Sequence, residues 1–250
     1  MTALLLLGLA VRDLAASWPG RRATGRWAPL GAAVIAVLAG ALVLAVGPAT
    51  PVQAVSAALV GVGAAGVWHA LSSASSRARV VALAGVVVVA VAEHALHGPG
   101  GVAPLGLTVL SAGLALLETA NVLTRDVLAL AGRPSSDAAG DAPGAPAPRH
   151  ALPAPDQGGG ADDAPRGLQG GRFIGPMERL LMAALGLAQA WPVVAALMAA
   201  KGIVRFPEIS RDVSDGEPAG AGAEEFLVGS LASWSLAAGG ALLVHLALRG

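Results

Sequence analysis

Apolar runs of membrane-crossing length recur along this chain, and fifteen of its sixteen Lys and Arg side chains fall on one side of the series. A helix crosses the hydrocarbon with about 20 apolar residues, somewhat fewer when flanking side chains snorkel. Trp27 to Gly47, Pro51 to Leu71, Val80 to His97, Val102 to Val122 and Phe226 to Leu248 meet that length. Thr2 to Ala16, Phe173 to Gln189 and Trp191 to Phe206 are shorter. All are rich in Ala, Val, Leu and Gly without an alternating period. Lipid offers backbone N–H and C=O groups no partner outside their own helix, so helix is the expected state. Apolar residues make up 55% and charged residues 13% of the 250, more apolar than a soluble domain of that size needs. The expected fold is all-α, a polytopic transmembrane bundle of six to eight segments. The lower count leaves the first segment on the membrane surface and makes Phe173 to Phe206 a re-entrant pair.

Cytoplasmic loops retain Lys and Arg, and this fixes the expected orientation. Arg12, Arg21, Arg22 and Arg26 follow the first segment, Arg77 and Arg79 the third. Arg125, Arg133, Arg149, Arg166 and Arg172 follow the fifth, Arg179 lies just inside the sixth, and Lys201, Arg205 and Arg211 lie at or beyond the end of the seventh. Pro48 to Thr50, Gly98 to Gly101 and the turn at Gln189 to Pro192 carry no Lys or Arg, and only Arg249 falls on the other side. Both termini are therefore expected outside the cytoplasmic membrane. The same bias splits Phe173 to Phe206 into two arms, because one long span would carry Lys201, Arg205 and Arg211 across. Pro192 suits the first turn of a new helix. The N-terminal run lacks a basic region before it and a small-residue cleavage site, and is read as retained.

Between 131 and 171 the composition changes to Pro, Gly, Ala and Asp with no apolar period. Such a stretch buries too little to order itself and is expected to be a cytoplasmic linker. It separates a five-helix part, 1–130, from a three-segment part, 172–250. Cysteine is absent, which removes disulfides and thiolate metal sites. A net charge of zero gives no argument for nucleic acid, and no Gly-Lys-Ser/Thr loop is present to cradle a nucleotide. The expected surroundings are the lipid bilayer, with no cofactor.

Ionisable groups inside spans cost about 2.5–3.5 kcal/mol each on insertion scales, so each one asks for a reason. Glu178 and Arg179 lie inside the sixth segment, with Lys201 and Arg205 four residues apart on one face near the end of the seventh. Glu224 and Glu225 open the last helix, and Glu118 with Asn121 ends the fifth. The helical rise places these groups at one level, roughly 0–8 Å below the inner interface. Two readings follow. Acids and bases can neutralise each other and fix helix ends, Glu178 and Glu224 suiting the macrodipole. Alternatively they line an inward-facing polar pocket for an anionic lipid headgroup, a small ion or a proton. On the outer side Glu93 and His97 share a helix face at i, i+4, and His245 could supply a third ligand to a metal; the bland alternative is a hydrated helix end. Trp18, Trp27, Trp68 and Trp191 fit aromatic belts, His69 pairs with Trp68 at the interface, and Trp234 is read as packing. Glycines 61, 63, 66, 239 and 240 are read as points of close helix approach.

Three blocks carry a resemblance: Gly171-Arg172-Phe173-Ile174-Gly175-Pro176-Met177-Glu178-Arg179, Ala199-Ala200-Lys201-Gly202-Ile203-Val204-Arg205-Phe206-Pro207-Glu208 and Ala223-Glu224-Glu225-Phe226-Leu227-Val228-Gly229-Ser230. In order and spacing this C-terminal region resembles an uncharacterised bacterial multi-pass membrane family. That family often opens with an apolar run ending in a His-x-x-x-Asp-like element; Leu9 to Asp13 keeps the acid and lacks the histidine. The resemblance implies no activity.

Three function classes remain from the sequence: a carrier or channel gated by the inner cluster, an accessory or assembly protein, and a membrane-embedded enzyme. The enzyme would act on a lipid phosphate held by Lys201 and Arg205, with a glutamate as base. Non-enzymatic roles fit better, because no dense set of polar catalytic residues accompanies the cluster.

Overall fold

The computed structural model describes residues 1–18, 25–47, 49–72, 75–98, 103–132, 171–214 and 221–249. Residues 133–170 of the expected linker, and Arg21 and Arg22, lie outside them. Eight helices and no strands occupy the described residues: α1 (Thr2–Ser17), α2 (Ala28–Val46), α3 (Pro51–Leu71), α4 (Ser76–His97), α5 (Leu105–Leu130), α6 (Gly171–Leu187), α7 (Trp191–Ser214) and α8 (Ala221–Leu248). α5 is interrupted by a π-helical turn at Ala115–Thr119. Five of the eight, α2, α3, α4, α5 and α8, are long and apolar enough to cross a membrane; α1, α6 and the apolar start of α7 are shorter. By helix composition the chain is a multi-pass membrane protein.

The shortest helix holds the centre. α1 packs against α2, α3, α4 and α5, and Leu4, Leu5, Leu7, Leu9 and Ala10 are all buried. A helix enclosed this way does not lie on the bundle surface. Small residues let its neighbours close in, as lipid-embedded packing requires. A Cβ added at Gly61 would sit 2.8 Å from Val37 Cγ1 and 3.1 Å from the Leu4 carbonyl oxygen, and one at Gly8 would sit 3.1 Å from the Gly61 carbonyl oxygen. Gly240 likewise meets Leu116, whereas Gly63, Gly66 and Gly239 face open space. Only Gly61 and Gly240 among the five glycines singled out above therefore mark close approach.

Local chemistry sets the helix starts. Thr50 and Gln53 form a capping box at the head of α3: the Gln53 N–H donates to Thr50 Oγ1 at 3.3 Å and the Thr50 N–H donates to Gln53 Oε1 at 2.9 Å. Between α6 and α7 the chain turns at Gln189, φ +56°, and α7 opens on Trp191 and Pro192, as the two-arm reading requires. Four boundaries differ from the sequence reading by at least four residues. α4 starts at Ser76, α5 runs to Leu130, α7 continues through Pro207 to Ser214, and α8 starts at Ala221. Charged residues ended those runs on hydropathy alone, yet a charge with a partner, or one in water, does not end a helix.

Candidate functional site

Among the described residues, Arg179 is the most buried charge of the C-terminal helices. It projects from α6 and is 3% exposed. Its Nη1 donates to the carbonyl oxygens of Leu116 at 2.9 Å and Leu117 at 3.3 Å. Its Nη2 donates to Asn121 Oδ1, and its Nε to Ser233 Oγ of α8 at 3.1 Å. The two carbonyls belong to the π turn. In that turn the Ala120 N–H, which would ordinarily bond Leu116 O, reaches back to Ala115 O instead. A planar guanidinium with five donors suits an irregular cluster of acceptors where no water is at hand. Asn121 in turn donates from Nδ2 to Glu118 Oε2 at 3.1 Å, so Glu118 joins this group through the amide.

Glu178, the neighbouring residue on α6, serves a second junction. Lys201 Nζ of α7 donates to Glu178 Oε1 at 2.8 Å and Oε2 at 2.6 Å, and Trp234 Nε1 of α8 donates to Oε1 at 3.0 Å. The ammonium also lies 5.5 Å from the Trp234 ring centroid, within reach of its π face. Trp234 is thus a hydrogen-bonding member of the cluster and not packing alone. Nothing in the sequence distinguishes an indole that donates from one that only fills space.

The cluster lies along the middle of two helices and not at their ends. Leu116 and Leu117 fall near the middle of α5, and Ser233 and Trp234 near the middle of α8. Glu224 and Glu225 lie eight to ten residues earlier on α8, about 12–15 Å away along the helix axis. They border Leu128 and Ala131 instead, so the seven candidates do not share one level. Their separation arises because Glu178 and Arg179 bond to the middle of α8 and not to its first turn. The Arg205 side chain lies outside the described residues.

A second polar layer ties the N-terminal helices together, and it was not among the sequence candidates. Arg12 Nη1 donates to Asp13 Oδ1 at 2.7 Å, and Trp68 Nε1 donates to both Asp13 oxygens at 3.0 Å. Arg79 Nε donates to Asp126 Oδ2 at 2.6 Å, with a further bond from Nη2 to Oδ1. Its Nη1 reaches the carbonyls ending α3, Leu71 at 3.3 Å and Ser72 at 3.2 Å. Arg12, Arg79 and Arg125, read as cations following spans, belong to helices. Trp68, 2% exposed, is a core donor and not part of a belt; Trp18, Trp27 and Trp191 remain exposed. His69 faces the Trp27 ring, centroids 5.3 Å apart, and not its sequence neighbour. The missed signal was the pair of acids, Asp13 and Asp126, near apolar helix ends facing Arg.

At the opposite end of the bundle Glu93 receives the start of α1. Its Oε1 lies 2.5 Å from the Met1 nitrogen and its Oε2 accepts from the Thr2 N–H at 2.6 Å. A cavity of about 60 Å³ opens beside it, lined by Thr2, Glu93, His94, Thr108 and Ser111 among apolar residues, and the buried Thr2 Oγ1 has no partner. That volume admits a few waters. Glu93 is directed to α1, His245 is not in the cavity wall, and the His97 side chain lies outside the described residues. Among the described residues no three His, Cys, Asp or Glu side chains converge as a metal site would need.

Comparison with protein-family models, with curated proteins and with solved structures gave no match to this chain.

Proposed function

We propose that the chain is an accessory or assembly protein of the cytoplasmic membrane, whose intramembrane charges join helices. The observation that carries this is Arg179: its donors are spent on α5 and α8, which leaves little to offer a ligand. Glu178 and Lys201 behave alike, each engaged with the other and with Trp234. Removing an acceptor from the buried Arg179 leaves a charged donor unsatisfied, which costs more than the roughly 1–3 kcal/mol of a neutral group. The blocks that resemble the uncharacterised membrane family contain Glu178, Arg179 and Lys201, which fits a shared structural lock. In this reading the termini are external, 131–171 is a cytoplasmic linker between the two membrane parts, and the partner is another membrane protein.

The second reading is a carrier for a small anion or proton. It is favoured by the Lys201 side chain, which is 29% exposed and so keeps an opening to its surroundings. Purified protein in proteoliposomes separates the two. The accessory reading expects no substrate- or pH-driven flux, together with a lower melting temperature on Lys201→Ala. Flux that Lys201→Ala abolishes while the melting temperature holds would replace it with the carrier. Turnover of a labelled phospholipid in detergent would instead favour an enzyme acting on a lipid phosphate.

A further inference from the structure

α5 takes up one extra residue at the π turn, where the Ala120 N–H bonds the Ala115 carbonyl five residues back. Leu107, Ser111 and Ala112 are its buried positions before the turn. Leu116, Thr119, Ala120, Leu123, Asp126 and Leu128 are those within and beyond it. Carried on at 3.6 residues per turn, the face of Leu107 and Ser111 would pass through Leu114, Glu118, Val122 and Arg125. Arg125, which is exposed, would then turn toward Arg79, and Asp126 would leave it.

A π turn is a costly insertion that persists where something holds it, and it recurs at functional positions. Here the holder comes from another part of the chain: Arg179 donates to both carbonyls inside the turn, and to Asn121 just beyond it. Gly175, one turn before Arg179 on α6, leaves room for the guanidinium, since a Cβ there would lie 3.1 Å from Nη2.

We propose that α5 is a two-register element, and that insertion of Arg179 from α6 selects the bulged register that pairs Asp126 with Arg79. When Arg179 is withdrawn, α5 anneals to a continuous α-helix and its inner half rotates by about 100°. Each residue beyond the turn then takes the place of the one that follows it. The state of the α6–α8 junction is thereby transmitted to the ion pair between α4 and α5. This goes beyond the accessory reading and holds equally for a carrier.

The chain has no cysteine, so single-cysteine spin labels report the register of the full-length protein directly. Ala129 and Arg125 are exposed and Leu128 is buried. Labels at 125 and 129 should be mobile and a label at 128 immobile. Introducing Arg179→Met should exchange 125 and 128, leaving 129 mobile. An unchanged pattern in a folded Arg179→Met protein would overturn the proposal. Should that variant fail to accumulate, deleting Ala115 in the same background removes the extra residue and should restore accumulation, because a straight helix then serves both faces. Failure of the deletion to restore it would equally overturn the proposal.

Discussion

Glu178 and Lys201 meet through two short contacts in apolar surroundings, and each is the other's main source of compensation. Reversing one sign leaves two like charges facing each other. We therefore expect Glu178→Lys or Lys201→Glu alone to lower membrane accumulation severalfold, and the exchange of both to recover most of it. Quantitative blotting of isolated membranes decides the matter; equal damage in the double variant would show that the two are not coupled. Asp13 offers a second case. Its carboxylate is fully enclosed, and among the described residues its one donor outside α1 is Trp68. Trp68→Phe keeps most of the ring volume and removes the N–H, so it should cost about 1–3 kcal/mol. Thermal unfolding in detergent measures this, and an unchanged midpoint would dismiss the hydrogen bond as a contributor. The ionisable members of the first cluster were legible in the sequence because charge inside an apolar run is conspicuous. Their neutral partners, Asn121, Ser233, Trp234 and two backbone carbonyls, were not, since a neutral donor or acceptor becomes informative only once its neighbours are placed.

Helices α2 and α3 match their expected ranges almost residue for residue, because turns with Pro and small residues bound them on both sides. The ends of α4, α5, α7 and α8 were misplaced for the common reason that hydropathy marks where lipid-compatible residues stop, while a helix stops where its hydrogen bonding does. The π turn left no readable trace either: only the bond from the Ala120 N–H to the Ala115 carbonyl reveals the extra residue. Close approach was half legible. A glycine in an apolar run signals possible contact, but which face it lies on depends on the neighbouring helix. This gives an element-scale test with an internal control. Gly61→Ala forces a methyl against Val37 and the α1 backbone at Leu4, and should cost about 1–3 kcal/mol of stability. Gly63→Ala, two residues away on an open face, should be neutral or slightly stabilising. Melting temperatures of the two variants settle it; equal effects would mean that α1 does not pack as tightly against α3 as the contact distances require.

At the scale of the molecule, the membrane class was legible from composition and run length, whereas the centrality of α1 was not. A 16-residue helix reads as too short to span, yet enclosure by α2, α3, α4 and α5 removes much of its need to match lipid thickness. The end of α3 and the start of α4 meet at Arg79, which also takes Asp126 from the last turns of α5. Trp68 brings Asp13 of α1 to the same end. The two halves of the chain join chiefly along α8, which packs against both segments of α5, and through Arg179. Apolar helix faces alone give little preference for one another over lipid, so specificity must come from close packing and from polar bonds. Expressed together as two chains, 1–132 and 171–250 should therefore still co-purify from mild detergent. Arg179→Met in the shorter chain should reduce recovery of the longer one at least severalfold, while Glu225→Gln, well away from the π turn, should leave it unchanged. If the halves remain together regardless of Arg179, packing of α8 on α5 carries the association, and the guanidinium serves only to satisfy the open carbonyls of α5.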